Sequence, residues 1–216
     1  NYLYKRNHIT QSIINFFFQN YWVWLKSRSN TSFHRLQDSV RGATKEIYTN
    51  ATNSEGTDPN TITSFDSDGF SLGTAADYNG SSRTFVAWNW LAGGSASSNS
   101  DGSITSSVSA NTTAGFSIVT YTGTGSAATV GHGLGVAPSF IIVKQRDSAN
   151  DWNVFHHKNT SAPETDFLVL NETDATLDAS NRWNDTMPNA TNVFLGDSNR
   201  VKNNSNTYLA YCFAEK

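Results

Sequence analysis

Histidines, carboxylates and a single cysteine are the residues of this chain that could do chemistry, and their spacing decides how much. His132 stands in GHGLG (131–135). A histidine between glycines can approach a ligand or a metal closely. Glycines also supply positive φ for a tight turn, with histidine as a polar filler, and the sequence favours that reading. His156 and His157 are adjacent, so on a strand they face opposite sides and cannot share one metal. A zinc site would need His132 or His34 to converge with one of them, and no Cys or His stands at metal-ligand spacing. DSDG (66–69) and NSDG (99–102) have the oxygen-rich character of calcium loops. Neither runs on to the terminal Glu of the twelve-residue pattern, and Asx-turns closing on glycine account for both. No cofactor is expected; calcium is the cation such loops would admit.

Glycoside cleavage needs two convergent carboxylates, roughly 5 Å apart or somewhat more. Asp166, Glu172, Asp174 and Asp178 offer themselves in the second half of the chain, and Glu46, Glu55 and Asp58 in the first. All lie in turn-rich segments, where solvated carboxylates are the rule. No G-x-S-x-G elbow is present, and the glycine-rich GTGSAATVGHGLG (123–135) precedes no helix that could cradle a phosphate. The lone cysteine, Cys212, sits inside an apolar strand and reads as a small buried hydrophobe. The chain is therefore read as a non-enzyme, with a polysaccharide depolymerase as the least favoured alternative. Asn-x-Ser/Thr sequons such as Asn50, Asn79, Asn111 and Asn171 follow from an Asn- and Thr-rich composition.

The elements that would carry these residues are strands, and they recur. TFVAWNWLA (84–92) and TYLAYCFAE (207–215) both alternate large apolar with smaller residues, and Thr207 follows Thr84 by 123 residues. FSLG (70–73) lies over VFLG (193–196) at the same offset. NAT (50–52) lies over NET (171–173), and WVWLKSR (22–28) over FIIVKQR (140–146), so that Lys26 meets Lys144 and Arg28 meets Arg146. Tyr4 lies over Tyr121, but the rest of GFSIVTY (115–121) survives ahead of it only as YLY (2–4), so the sequence is read as starting inside the first copy. The expected fold is all-β: two tandem antiparallel β-sandwich units, jelly-roll-like, related by internal duplication. Unit one spans 1–91, a Gly/Ser/Asn/Thr-rich linker 92–114, and unit two 115–216.

In unit two the strand candidates are FSIVTY (116–121), ATVGHGL (128–134), SFIIVKQR (139–146), WNVFHH (152–157), DFLVLN (166–171), NVFLG (192–196) and NTYLAYCFA (206–214), separated by turn formers. ITSSVSA (104–110) could add a short edge strand, and helix should be scarce. The i, i+2 pairs Trp22/Trp24, Trp88/Trp90 and Tyr211/Phe213 each project to one sheet face and read as core. TFVAWNW and TYLAYCF are expected to be equivalent central strands.

Charged residues make up 15% of the 216, the hydrophobic share is 37%, and the net charge is −3. That charge content is far below the roughly 25% usual in soluble domains. No basic run interleaved with aromatics is present, so nucleic acid is not an expected partner. IINFFFQNYWVWL (13–25) is too short and too interrupted by amides to span a membrane, so membrane insertion is not expected.

The blocks GFSIVTYTGTG (115–125), GHGLGVAPSFIIVKQR (131–146), WNVFHH (152–157), VFLG (193–196) and YLAYCFAE (208–215) resemble a repeat of marine bacteriophage virion proteins of the tail-fibre or tail-associated type. DSDGFSLG (66–73) and FVAWNW (85–90) extend the resemblance to unit one. It implies a particle component, located in the virion, whose partners are other copies of itself and other virion proteins. It hands over no catalytic residues. One departure stands out: where unit two has GHGLGVAPSF (131–140), unit one has IINFFFQNYW (13–22). Either the first copy has diverged there, or residues 1–21 are not a faithful reading of it. As written, at least one of Phe16, Phe17 and Phe18 should be exposed or buried against another chain.

A tail fibre, tail appendage or capsid-surface decoration would work by oligomeric assembly, trimeric by preference, and by displaying loops toward a host surface. The linker should then be ordered and lie among the contacts. The alternative is a carbohydrate-binding module that recognises a host-surface glycan. Trp152 and Trp183, outside the i, i+2 pairs, would be its platform, provided they are exposed.

Overall fold

A computed structural model of the protein describes residues 21–216. Phe16, Phe17 and Phe18 lie outside the described residues. The strands are β1 (Tyr21–Ser27), β2 (Arg35–Asp38), β3 (Lys45–Tyr48), β4 (Gly56–Thr57), β5 (Ile62–Asp66), β6 (Gly69–Leu72), β7 (Phe85–Leu91), β8 (Ser97–Asn99) and β9 (Ser106–Asn111). They continue as β10 (Phe116–Thr122), β11 (Ala128–Gly131), β12 (Phe140–Gln145), β13 (Asn153–His156), β14 (Asp166–Val169), β15 (Leu177–Asp178), β16 (Asn192–Leu195) and β17 (Thr207–Phe213). The helices among the described residues are single turns: α1 (Ala76–Asn79), α2 (Ser180–Trp183) and α3 (Asn199–Lys202). The protein is all-β with antiparallel sheets.

An eight-stranded sheet runs β15-β14-β13-β12-β17-β10-β9-β8, and a five-stranded sheet runs β4-β3-β2-β1-β7. Two small sheets, β5-β6 and β11-β16, complete the set. The period-2 rule sorts the side chains into layers. In the large sheet Val119, Ile141, Val143, Phe155, Ala210 and Cys212 point to one side, where Val130, Val193, Leu195 and Trp183 close a core over them. Ile118, Ile142, Val154, Leu209 and Tyr211 point to the other side and meet Trp22, Leu36 and Ile47 of the five-stranded sheet. Val23 and Leu25, on the far face of that sheet, pack with Ile62 and Tyr78 from β5 and α1. The two large sheets therefore share a middle core. Strands β12 and β17 are buried on both faces, which is why FIIVKQ and TYLAYCF read as nearly continuous apolar runs.

Strand order and register agree between the two sheets. β17, β12, β13, β14 and β15 follow one another as β7, β1, β2, β3 and β4 do. Trp22 pairs with Trp90 and Phe140 with Phe213; Leu36 pairs with Ile47 and Val154 with Leu168; Glu46 pairs with Gly56 and Phe167 with Leu177. The loops agree too. Asn50 Oδ1 accepts the His34 amide and Asn171 Oδ1 accepts the Trp152 amide, both at 2.8 Å. Gly73 and Gly196, the last residues of FSLG and VFLG, run against the backbone of Asn60 and Asn181; a Cβ would stand 2.5 Å from Asn60 O and 2.3 Å from Asn181 C.

Two expectations need adjustment. TFVAWNW does lie beside β1 as TYLAYCF lies beside β12. Only β17 is central, flanked by β12 and β10; among the described residues β7 pairs with β1 alone. The segment 92–114, read as a linker, contributes β8 and β9 to the large sheet. β9 is an interior strand there, because β8 pairs beyond it.

Candidate functional site

His132 is fully buried at the end of β11. Its Nδ1 accepts the Leu134 amide at 3.2 Å, so the proton sits on Nε2, which donates to Asn189 O at 3.0 Å. Burial pushes its pKa down. Both ring nitrogens are spent on shaping the turn, leaving neither for a ligand. His156 and His157 do not face opposite sides as expected: their rings meet edge to face with centroids 5.4 Å apart, His156 Nδ1 accepts the Lys158 amide, and His157 Nε2 stands 3.1 Å from Glu215. Among the described residues no three His, Cys, Asp or Glu side chains gather around a point that could hold a metal. NSDG forms the expected Asx-turn, with Asn99 Oδ1 accepting the Asp101 amide at 3.0 Å, and DSDG is the hairpin turn of β5 and β6.

Of the candidate carboxylates, Asp166 and Asp178 stand opposite each other across β14 and β15. Asp166 accepts the Thr160 hydroxyl. Glu46 is held by Arg35 at 2.6 Å and by the hydroxyls of Tyr48 and Tyr78. Cys212 lines an apolar cavity of ≈ 10 Å³ behind β17, and burial pushes its thiol up to about 12, far from a nucleophile's range. A polar recess of ≈ 440 Å³, lined in part by Ser126, Asn181, Asn184, Asp185 and Asp197, opens beside α2.

Trp152 and Trp183 are not a platform. Trp152 is fully buried in the middle core, where its Nε1 donates to Tyr48 O at 2.8 Å. Trp183 is buried under β14, with Nε1 donating to Asp166 O at 3.0 Å. Trp152 lacks an aromatic partner at i+2, but Val154 occupies that position on the same core-facing row, so the ring goes inside.

The structure gathers chemistry elsewhere, at the junction of the two large sheets. Asp38 ends β2, and its Oδ1 accepts the amides of Val40 and Arg41 at 3.0 and 2.9 Å, tightening the turn that carries Arg41. That turn puts Arg41 Nε on Asp38 Oδ2, Nη1 on Glu55 at 3.1 Å, and Nη2 on Leu36 O and the Tyr211 hydroxyl at 3.1 and 3.3 Å. Tyr211, from the other sheet, donates to Asp38 Oδ2 at 2.6 Å. Glu55 in turn takes Arg146 through Nε and Nη2 at 3.0 and 2.9 Å. Burial works against the Arg41 charge, but Asp38, Tyr211 and Glu55 outweigh it and hold the guanidinium protonated. Burial likewise works against the Glu55 carboxylate, and the two arginines nevertheless hold its pKa below the ordinary value. Tyr211 is pushed well above its ordinary range by burial.

Lys144 adds a second tie. Its ammonium donates to the carbonyls of Gln145, Ser148 and, across the junction, Thr52, at 2.8, 3.5 and 3.2 Å. Burial pulls its pKa down to about 8, against the pull of Asp151 and Asp147. Lys26 makes the two local bonds of the same kind, to Ser27 O and Asn30 O. The repeated lysine inside an apolar strand was the sequence signal for this site. Nothing comparable marked Arg41 and Asp38, which lie in an ordinary polar turn.

The charged donors Arg41, Arg146 and Lys144 are matched by acceptors across the junction or in their own strand and turn, while the buried Ser39 hydroxyl in the same turn has no partner among the described residues. This is the arrangement of a clamp, which fixes two sheets in one geometry. The class defined by fold and site is thus an all-β protein of stacked antiparallel sheets closed by a buried ionic junction. The chain belongs to the DUF7483 family, a domain of unknown function, whose match covers residues 1–216. Neither a curated protein nor a solved structure matches it.

Proposed function

We propose that this chain is a structural module of a bacteriophage virion, in a tail fibre, tail appendage or surface decoration. It consists of two β-sandwich units that arose by internal duplication, 1–91 and 115–216, joined through 92–114. It works by assembling with copies of itself and other virion proteins while presenting loops outward. The observation that carries this reading is the buried clamp of Asp38, Arg41, Glu55, Arg146 and Tyr211. It commits the best-placed charged groups to holding two matching sheets rigid, as a load-carrying module requires, and leaves them no substrate to act on. The register shared by the two sheets supports the duplication, and the ordered blocks from GFSIVTY to YLAYCFAE support the virion setting.

Antibody raised against the purified chain and imaged by electron microscopy on intact particles tests the reading. Discrete labelling of the tail or capsid surface is expected. Purified, infectious particles free of the protein, with all of it in the soluble fraction of infected cells, would overturn it. Mass photometry of the purified chain is expected to give a homo-oligomer, trimeric by preference.

A further inference from the structure

Asn79 is followed by Gly80, the one Asn-Gly pair in the sequence. In such a pair the glycine nitrogen can attack the asparagine Cγ, because glycine has no side chain to obstruct the approach and enough backbone freedom to reach it. The pair lies at the exposed end of α1, and hydrogen bonds hold it there. Gly80 N–H donates to Ala76 O at 3.0 Å, the Asn79 side-chain amide donates to Gly73 O at 3.2 Å, and Asn79 N–H donates to Ala75 O at 2.9 Å. The helical backbone at Asn79 turns the Gly80 nitrogen away from Cγ. Glycine is required by space: a Cβ on Gly80 would stand 2.5 Å from Ala76 O and 2.8 Å from Arg83 Cδ. Arg83 folds back over the turn, its Nη1 donating to Ala76 O at 3.0 Å and to Asp77 at 2.9 Å. The helix that shuts the pair is a single turn behind Ala75, which has no side-chain oxygen to cap it. Two residues hold α1 down. Tyr78 is buried against Val23, Leu25 and Ile62 and donates to Glu46 at 2.8 Å, and Asp77 accepts from Arg35 at 2.6 Å.

We propose that Asn79 is a site of spontaneous deamidation, shut while α1 is formed and open to reaction when α1 unfolds locally. On opening, the Gly80 nitrogen gives its proton to solvent and attacks Asn79 Cγ. The Cγ–Nδ2 bond breaks, ammonia leaves, and a succinimide ring forms. Water then opens the ring at either carbonyl, leaving aspartate or isoaspartate at position 79. Either product blocks the way back. A carboxylate cannot donate to Gly73 O as the amide does. Isoaspartate also carries the chain through an extra carbon, which takes Gly80 N–H off Ala76 O. Each opening that reacts is thus recorded, and α1, which covers Val23 and Leu25 on the outer face of the five-stranded sheet, is left looser than before. The inference does not depend on the virion reading.

The full 216-residue protein is incubated at pH 8 in buffer, in a guanidinium chloride series below its global transition, and fully unfolded, and deamidation is placed by residue with peptide mass spectrometry. In the unfolded chain Asn79 is expected to react faster than every other asparagine. In buffer it should react at least tenfold more slowly than when unfolded. Its rate should climb with denaturant before tryptophan fluorescence changes, because the reaction follows the open fraction of α1. Asp77→Ala unties α1 from Arg35 and Arg83 without touching the reacting pair. It should keep its circular dichroism and deamidate at Asn79 at least threefold faster than the parent in buffer; should it fail to fold, the denaturant series decides. Equal rates in buffer and in the unfolded chain would show that α1 does not shut the pair. A rate that stays flat until global unfolding, or a folded Asp77→Ala that reacts like the parent, would show that no local opening of α1 feeds the reaction. Each of these overturns the proposal, as does an unfolded chain in which Asn79 reacts no faster than its fellow asparagines.

Discussion

Replacing Arg41 by methionine should cost more stability than any exposed change in the molecule. Neither Arg41 nor Asp38 has exposed side-chain surface. Methionine fills much of the same volume but removes the cation, leaving Asp38 with two backbone amides and the Tyr211 hydroxyl. Breaking a buried ion pair from one side costs about 3–5 kcal/mol, because the surviving charge has been stripped of water and has no counter-ion. In a chain of this size each kcal/mol moves the melting midpoint by about 2–4 °C, so Arg41→Met should melt roughly 6–20 °C early. The double variant Arg41→Met/Asp38→Asn removes both charges and should recover about 2 kcal/mol or more relative to the sum of the single changes.

The junction also has a sign in pH. Glu55, with a folded pKa held low by Arg146 and Arg41, contributes stability that is present above its unfolded pKa and lost as pH falls through the folded one. Urea unfolding followed by tryptophan fluorescence at pH 7, and at pH values stepped down through the ordinary glutamate value of 4.5, measures the trend. A cost below about 1 kcal/mol for Arg41→Met, or additive single changes, would show that the junction is not a coupled buried pair.

Lys144, with a folded pKa of about 8 against an ordinary 10.5, binds fewer protons folded than unfolded between those values. Stability should therefore rise from pH 8 to pH 10 by on the order of 2 kcal/mol, and Lys144→Met should flatten that rise. Gly73→Ala and Gly196→Ala each drive a Cβ into an asparagine backbone, and should destabilise by similar amounts, about 1–3 kcal/mol each in urea titrations. Cys212 should resist a thiol reagent in the native protein at pH 8 and react fully once urea unfolds it, since the thiol is buried and its pKa stands near 12.

The strands were legible because their periodicity is a local property. All seven strand segments expected in unit two contain a strand, and Trp22 and Phe140, aligned in WVWLKSR and FIIVKQR, pair with Trp90 and Phe213, aligned in TFVAWNWLA and TYLAYCFAE. What covers each face was not legible. A period of two says that Trp22 and Ile142 each face something; it cannot say that they share a core with each other. The same gap misplaced Trp152, chosen as a platform because it stands outside the i, i+2 aromatic pairs; the second sheet covers it. Arg41 was invisible for a related reason. Its partners Glu55 and Tyr211 lie 14 and 170 residues away, and only packing brings them together.

The faces that meet in the middle core are equivalent ones. Trp22 and Leu36 hold the places in the five-stranded sheet that Phe140 and Val154 hold in the eight-stranded sheet, and all four lie in or against the middle core. Two sheets joined by equivalent faces cover those faces mutually, as isologous interfaces do, and leave neither free for a third. The outer faces are covered in turn, one by β5, β6 and α1, the other by β11, β16 and α2. Among the described residues the sheet faces are thus largely covered, which leaves edges and loops as the free surfaces. The residues that differ between equivalent positions fit this division of labour. Asp38 and Arg41 correspond to His156 and Asn159, and Trp152 to His34, so the clamp is built once, at the closed junction. Tyr211 and Phe213 correspond to Trp88 and Trp90, which keep their size and apolarity on an edge that has no covering strand among the described residues.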